Sequence, residues 1–196
     1  MKLRLILIGF AACVLSAACA NGQKSGSAVK EASLPAEEPA AAPVQDIPEA
    51  EPQVKRGIEE GQLFTDFSIP QEDGSVVRLS DYVGRGKYVL VDFWASWCRP
   101  CRMEIPNIKG VWEKYHGDRF EVLSVAVWDK PADTKKALDE EGLKWPQIIN
   151  AQQIPTDIYG IEGIPHIILF GPDGIIIKRD LRGKRIEEAV KSALGL

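Results

Sequence analysis

The sequence predicts an α/β protein with a mixed central sheet flanked by helices, and three stretches point to it. Tyr88 to Ala95 is a nearly unbroken apolar run rich in Val and Phe, the pattern of a central strand covered on both faces. A helical pattern from Cys98 to Tyr115 follows at once, and a second apolar strand, Phe120 to Val127, comes after it. Late in the chain, His166–Phe170 and Ile175–Asp180 form a hairpin around the turn Gly171-Pro172-Asp173-Gly174.

The remaining elements fit around these. Leu63 to Ile69 and Ser75 to Leu79 read as two short strands joined by Gln71-Glu72-Asp73-Gly74, an N-terminal β-hairpin. Pro106 lies inside the first helix and predicts a kink there. Pro131 to Gly142 reads as a helix with polar faces, Gln147 to Asn150 as a short strand, and Ile154 to Tyr159 as a short helix. Lys184 to Leu194 is a closing helix with apolar residues at Ile186, Val190, Ala193 and Leu194. Trp94, Trp128 and Trp145 read as core. No internal repeat is visible.

The N-terminus reads as an address. Lys2 and Arg4 precede an apolar run from Leu5 to Ala18, too short to span a bilayer and suited to a signal peptide over residues 1–18. The segment Leu15-Ser16-Ala17-Ala18-Cys19 resembles the lipobox of bacterial lipoproteins, with Cys19 as the lipidated first residue. Ser16 stands where that pattern has a large apolar residue, and cleavage after Ala18 or Ala20 without acylation is the alternative. Residues 19–57 have few aromatics and no periodicity, and the stretch from Glu31 to Glu51 holds six acids and no base. Such a composition buries too little apolar surface to offset its ordering entropy, which predicts a disordered tether before a folded domain over residues 58–196. The expected location is the periplasmic side of the cell envelope, anchored to a membrane through lipid. A net charge of −4 provides no basic field and argues against nucleic acid as a partner.

Cysteine usage narrows the chemistry. Of Cys13, Cys19, Cys98 and Cys101, the first leaves with the signal and the second is the acylation candidate. Cys98 and Cys101 remain, closing too small a loop to act mainly as a fold staple. Redox exchange is the first reading, with one partly exposed, reactive sulfur and a partner one helical turn on. Metal binding is the second, although zinc wants four ligands and the sequence adds only His116 and His166. No cofactor is expected.

The run Val91-Asp92-Phe93-Trp94-Ala95-Ser96-Trp97-Cys98-Arg99-Pro100-Cys101 resembles the active-site segment of thioredoxins. The stretch from Phe64 to Leu194 resembles the envelope thioredoxin-like proteins of the TlpA and ResA type, within the AhpC/TSA-like thioredoxin superfamily. Peroxiredoxins proper have a single peroxidatic cysteine with Thr and Pro upstream of it, and that pattern is absent. The resemblance implies a thioredoxin-like fold and roles residue by residue. Cys98 is the nucleophile and Cys101 resolves the mixed disulfide; Trp97 before the pair, exposed enough to touch partners, and Pro100 inside it belong to the substrate-binding surface. Pro106 matches the helix-kinking proline, and Ile164-Pro165 the cis-proline loop that faces the disulfide and docks the partner chain. Asp92 matches the buried aspartate of thioredoxins, and Glu104 the buried glutamate of the ResA branch. Asp92 lies in an apolar strand, where desolvation raises a carboxyl pKa toward the range of a proton acceptor.

The function these residues predict is an envelope thiol–disulfide oxidoreductase that exchanges the Cys98–Cys101 disulfide with thiol- or disulfide-bearing envelope proteins. By the family analogy it acts as a reductase, for instance on apocytochrome cysteines during cytochrome c maturation, is recharged by a membrane electron donor, and works as a monomer. Arg99 does not decide the direction, because a surface interaction of about 0.5–1 kcal/mol moves a two-electron potential by only about 10–20 mV. The alternative is a copper- or metal-handling module using Cys98, Cys101 and His166.

Overall fold

A computed structural model describes residues 54–196. The leader, Cys19 and the tether up to residue 53 lie outside the described residues. Nine strands and four helices follow in the order β1 (Arg56–Gly57), β2 (Leu63–Phe64), β3 (Ser68–Pro70), β4 (Val76–Arg78), β5 (Tyr88–Trp94), α1 (Arg99–Tyr115), β6 (Phe120–Ala126), α2 (Pro131–Glu141), β7 (Gln147–Ile148), α3 (Ile154–Tyr159), β8 (His166–Phe170), β9 (Ile176–Lys178) and α4 (Lys184–Leu194).

The main sheet has the order β7-β6-β5-β8-β9, with β5 at its centre. β5 runs parallel to β6, from Tyr88 opposite Phe120 to Trp94 opposite Ala126, and antiparallel to β8, with Asp92 opposite Ile167 and Phe93 opposite His166. β7 continues the parallel edge and β9 the antiparallel one, so the sheet is mixed as the element order predicts. Strand alternation divides the core in two. Val89, Val91 and Phe93 pack with Phe64, Phe67, Ile69, Leu79, Tyr159, Ile168 and Phe170, under the N-terminal hairpin and α3. Leu90 faces the other way and packs with Ile167, Leu169, Ile108 and Val111 of α1, and Ile186, Val190 and Leu194 of α4.

The N-terminal region departs from the sequence reading in two places. Residues 56 and 57, assigned to the tether, form β1 and pair in parallel with β2. The cause is tertiary: Leu63 N–H donates to Lys55 C=O, and the Arg56 guanidinium lies 5.6 Å over the Phe64 ring. The segment from Leu63 to Ile69 is not one strand but β2 and β3, because Phe64 N–H turns away to Gly174 C=O. The hairpin itself forms, β3 antiparallel to β4, and Leu79 enters a short 3-10 turn over Leu79–Asp81. Gly61, Gln62 and Leu63 also bridge to Ile175 and Ile176, so the β9 edge is covered by the N-terminal segment.

Pro106 lies within α1, which nevertheless continues to Tyr115. Proline costs the helix one internal bond, and the buried residues Ile105, Ile108 and Val111 on the sheet-facing side hold the helix across the gap. Trp94 and Trp145 are core, as expected, while Trp128 is only half-buried and packs at the edge of the core.

Candidate active site

β5 delivers the site. Its last residue, Trp94, packs with Ala95, Cys98, Cys101 and Ala137 in a third apolar cluster at the C-terminal end of the strand. The chain then turns through Ser96 and Trp97 into α1, whose N-cap is Cys98. The Cys101 N–H donates to Cys98 Sγ at 3.2 Å, so the sulfur occupies the place where a Ser or Asp oxygen caps other helices. Pro100 fits the first turn, where its missing N–H has no partner to lose. Free N–H groups and the helix dipole favour negative charge on Cys98 when the pair is reduced.

The two cysteines are joined, with sulfurs 2.10 Å apart. The expectation of a partly exposed sulfur is not met in this oxidised form: Cys98 is 3% exposed and Cys101 2%. Ile164 packs against the pair, and its carbonyl oxygen lies 3.7 Å from Cys98 Sγ. The Ile164–Pro165 bond is cis. Trp97 is 62% exposed and Met103, on the first turns of α1, 70%. A groove of about 260 Å³ beside Trp97 is lined by Ser96, Trp97, Arg102 and Lys136 among others.

Asp92 is 3% exposed and shares its sheet face with Leu90 and Trp94, the face that α1 covers. Burial pushes its pKa up to about 7; the charge of Arg182 and the Ser124 hydroxyl pull it down, and Glu104 pushes it further up. Ser124 Oγ–H reaches Asp92 Oδ2 at 3.5 Å while accepting from Trp145 Nε1 at 2.8 Å. Asp92 Oδ1 accepts no hydrogen bond from the protein, which leaves an oxygen able to take a proton. Glu104 is half-buried rather than buried. Its carboxylate accepts from Asn107 Nδ2 at 2.8 Å and from the N–H of Gly183, the N-cap of α4, at 3.0 Å. Its hydrogen bonds therefore tie α1 to α4, and it acts on Asp92 through charge.

His166 does not join the cysteines. It shares its strand face with Ile168 and Phe170, on the sheet side away from α1. Burial, with Arg179 next, pushes its pKa down to about 4, although Asp180 3.7 Å from Nδ1 opposes this. It is neutral at neutral pH. Among the described residues no cluster of three or more His, Cys, Asp or Glu could hold a metal ion, so Cys98, Cys101 and His166 are not assembled as a ligand set.

Sequence reasoning missed two groups. Arg182 donates to the carbonyls of Pro165 and Leu181, bracing the cis-proline loop from behind, and forms an ion pair with Asp180 at 3.1 Å. Asp129, 6% exposed, holds the turn that precedes Cys98. Neither carries a local signal. Asp129 is one more acid before the proline that opens α2, and Arg182 one more cation before α4.

The AhpC/TSA family profile matches residues 61–179. The chain belongs to the AhpC/TSA family. Within it, the chain is 30% identical over 140 residues to the thiol-disulfide oxidoreductase ResA of Geobacillus thermodenitrificans, covering 71% of this chain and 79% of that protein. To ResA of Bacillus subtilis it is 26% identical over 124 residues, 63% of this chain and 68% of that one. The thioredoxin domain of a thiol-disulfide oxidoreductase from Bacteroides vulgatus superposes with a TM-score of 0.61 at 30% identity, covering 69% of this chain and 98% of the other. A thiol:disulfide interchange protein from Bacteroides sp. gives 0.60 at 30% identity, over 73% and 92%. This AhpC/TSA protein has a thioredoxin-like fold and is a thiol–disulfide oxidoreductase of the TlpA/ResA type, as the sequence predicts.

Proposed function

We propose that this protein is an envelope reductase that draws disulfides out of client polypeptides through Cys98. The observation that supports it best is the convergence, at the end of one strand, of a helix-capping Cys98, a cis Ile164–Pro165 loop against its sulfur, and a buried, readily protonated Asp92. In the reduced protein the Cys98 thiolate attacks a client disulfide, forming a mixed disulfide and releasing one client thiolate. Cys101, giving its proton to Asp92, then attacks Cys98 Sγ, closing the intramolecular disulfide and releasing the second client thiolate. Two electrons pass to the client, and a membrane thiol–disulfide donor restores the pair. Ile164 backbone groups dock the client in strand fashion, and the exposed faces of Trp97 and Met103 provide its apolar contact.

The reductive direction, and apocytochrome cysteines as one client class, rest on the TlpA/ResA resemblance. Location and anchoring rest on the Lys2-to-Cys19 leader. Cys19→Ser should move the protein from membrane to soluble fractions, and continued membrane association would overturn the anchor. For the chemistry, Cys101→Ser should accumulate covalent adducts with envelope proteins that dithiothreitol releases. No adduct, together with no insulin reduction by the unaltered chain, would sink the reading. The Cys98–Cys101 potential measured against glutathione tests direction: a value above the glutathione couple would make the protein an oxidant instead.

A further inference from the structure

Trp97 and Cys98 stand at the end of a turn that would be free to move if only its own backbone held it. Three cross-links from the loop after β6 hold it instead. Val127 N–H donates to Trp94 C=O at 3.0 Å, extending the β5–β6 pairing by one step. Asp129 then takes over with its side chain: Oδ2 accepts from Ser96 N–H at 2.7 Å, and Oδ1 from Ser96 Oγ–H at 3.0 Å. Finally the Trp97 indole N–H donates to Trp128 C=O at 2.9 Å. Asp129 is itself pinned by Thr134 Oγ1–H at 2.8 Å and Lys130 N–H at 2.9 Å, and its carbonyl accepts from Gln152 Nε2 at 2.8 Å.

The backbone at this spot is under strain. Among the described residues four non-glycines have a left-handed φ, and three of them, Trp128 (53°), Asn150 (65°) and Gln152 (50°), meet here. Gln152 Nε2 also donates to Asn150 Oδ1 at 2.9 Å, so the strained residues brace one another. Strain of this kind persists only where surrounding contacts over-determine it, and it collects at functional sites. Trp97, meanwhile, is 62% exposed. A largely exposed surface indole held by its N–H is a rigid aromatic platform of the sort that anchors a polypeptide with little entropy to lose.

We infer that the Trp128–Asp129 turn is a positioning device that fixes Trp97 beside Cys98 as the platform on which polypeptide disulfides are engaged, and that Asp129 is its key positioning residue. Small disulfides, which reach Cys98 without spanning Trp97, gain less from it. The inference rests on the proposed exchange through Cys98, and the test separates the two. The reduced full chain is mixed with insulin or with dithiobis-nitrobenzoate, and second-order rate constants are compared. Asp129→Asn, which replaces one accepting oxygen by an NH2 donor facing the N–H and O–H donors of Ser96, Lys130 and Thr134, should lower the insulin rate by about tenfold or more beyond its effect on the small disulfide, since small misplacements of reacting groups carry penalties of that order. Trp97→Phe, at an exposed position where folding is not at stake, keeps an aromatic face while losing the anchoring N–H and part of the ring area, and should shift the same ratio in the same direction. The double variant should shift it no further than the larger single change, because both act on one device. Parallel losses on both substrates, or a ratio unmoved in Trp97→Phe, would overturn the inference while leaving exchange through Cys98 intact. No exchange by the unaltered chain would overturn both.

Discussion

Asp92 is ionised in the unfolded chain at neutral pH and about half protonated in the folded one, because burial raises its pKa from 3.8 to about 7. Between those values the folded state holds a proton that the unfolded state releases. The contribution is fully present below about pH 4 and is lost as pH rises through 7. A shift of this size corresponds to at most about 4 kcal/mol. Asp92→Asn should therefore be the more stable protein at pH 8, by about 2–4 kcal/mol, with the advantage shrinking toward pH 4. Urea titrations at both values check this, and equal stabilities at pH 8 would contradict it. The same substitution should slow the resolving step near neutral pH and remove its dependence on a group titrating near 7, as read by release of client from the mixed disulfide. Glu104→Gln should slow exchange as well, through its charge on Asp92. Unchanged rates in both variants would remove the two acids from the mechanism. At this scale the sequence was informative where chemistry is local: Cys98 and Cys101 share a turn, and Pro165 sits beside Ile164. It was silent on Asp129, whose partner Ser96 is 33 residues away, and on the burial of the sulfurs, which depends on Ile164 arriving from across the sheet.

The elements show how much turn chemistry the fold tolerates. Both hairpins turn on a glycine in the left-handed region, Gly74 at φ 84° and Gly174 at φ 85°. A methyl group on Gly74 meets nothing within 4 Å, whereas on Gly174 it would stand 2.7 Å from the Phe64 ring. Gly74→Ala should cost about 1 kcal/mol, the backbone term alone. Gly174→Ala should cost about 1–3 kcal/mol more, since Phe64 is packed against Phe170 and cannot give way freely. Denaturation midpoints of the two variants check the order, and equal costs would mean the Phe64 contact is soft. Both turns were legible from their Gln71–Gly74 and Gly171–Gly174 motifs, because glycine's conformational freedom is a local property. The division of Leu63–Ile69 into β2 and β3 was not, because the bond that breaks the strand runs from Phe64 to Gly174, more than a hundred residues away.

Across the whole molecule, Asp92 and His166 oppose each other. They sit on neighbouring strands with side chains on opposite sheet faces, and burial moves their pKa values in opposite directions, to about 7 and about 4. His166 holds its proton less well folded than unfolded, so its contribution is present above about pH 6.5 and is lost as pH falls toward 4. The two terms cancel in part between pH 4 and 6.5. Relative to the unaltered protein, Asp92→Asn should gain stability as pH rises through that window and His166→Gln should lose it. Stability curves of the same sign for both would refute the compensation. The fold class, the central place of β5 and the placement of the cysteine pair followed from apolar runs and spacing, which report on each strand's own surroundings. How the N-terminal segment closes the β9 edge did not, because it rests on backbone bonds of Gly61 and Gln62 to Ile176 and on Glu60 pairing with Lys178, more than a hundred residues away. That closure has a mechanical consequence. A pull applied at residue 54 would load β1 and the bridges of residues 61–63 first, one hydrogen bond after another at the sheet's margin. The strand that delivers Cys98 lies two strands further in, so tension at the N-terminus would be spent peeling an edge before it reached the reactive pair.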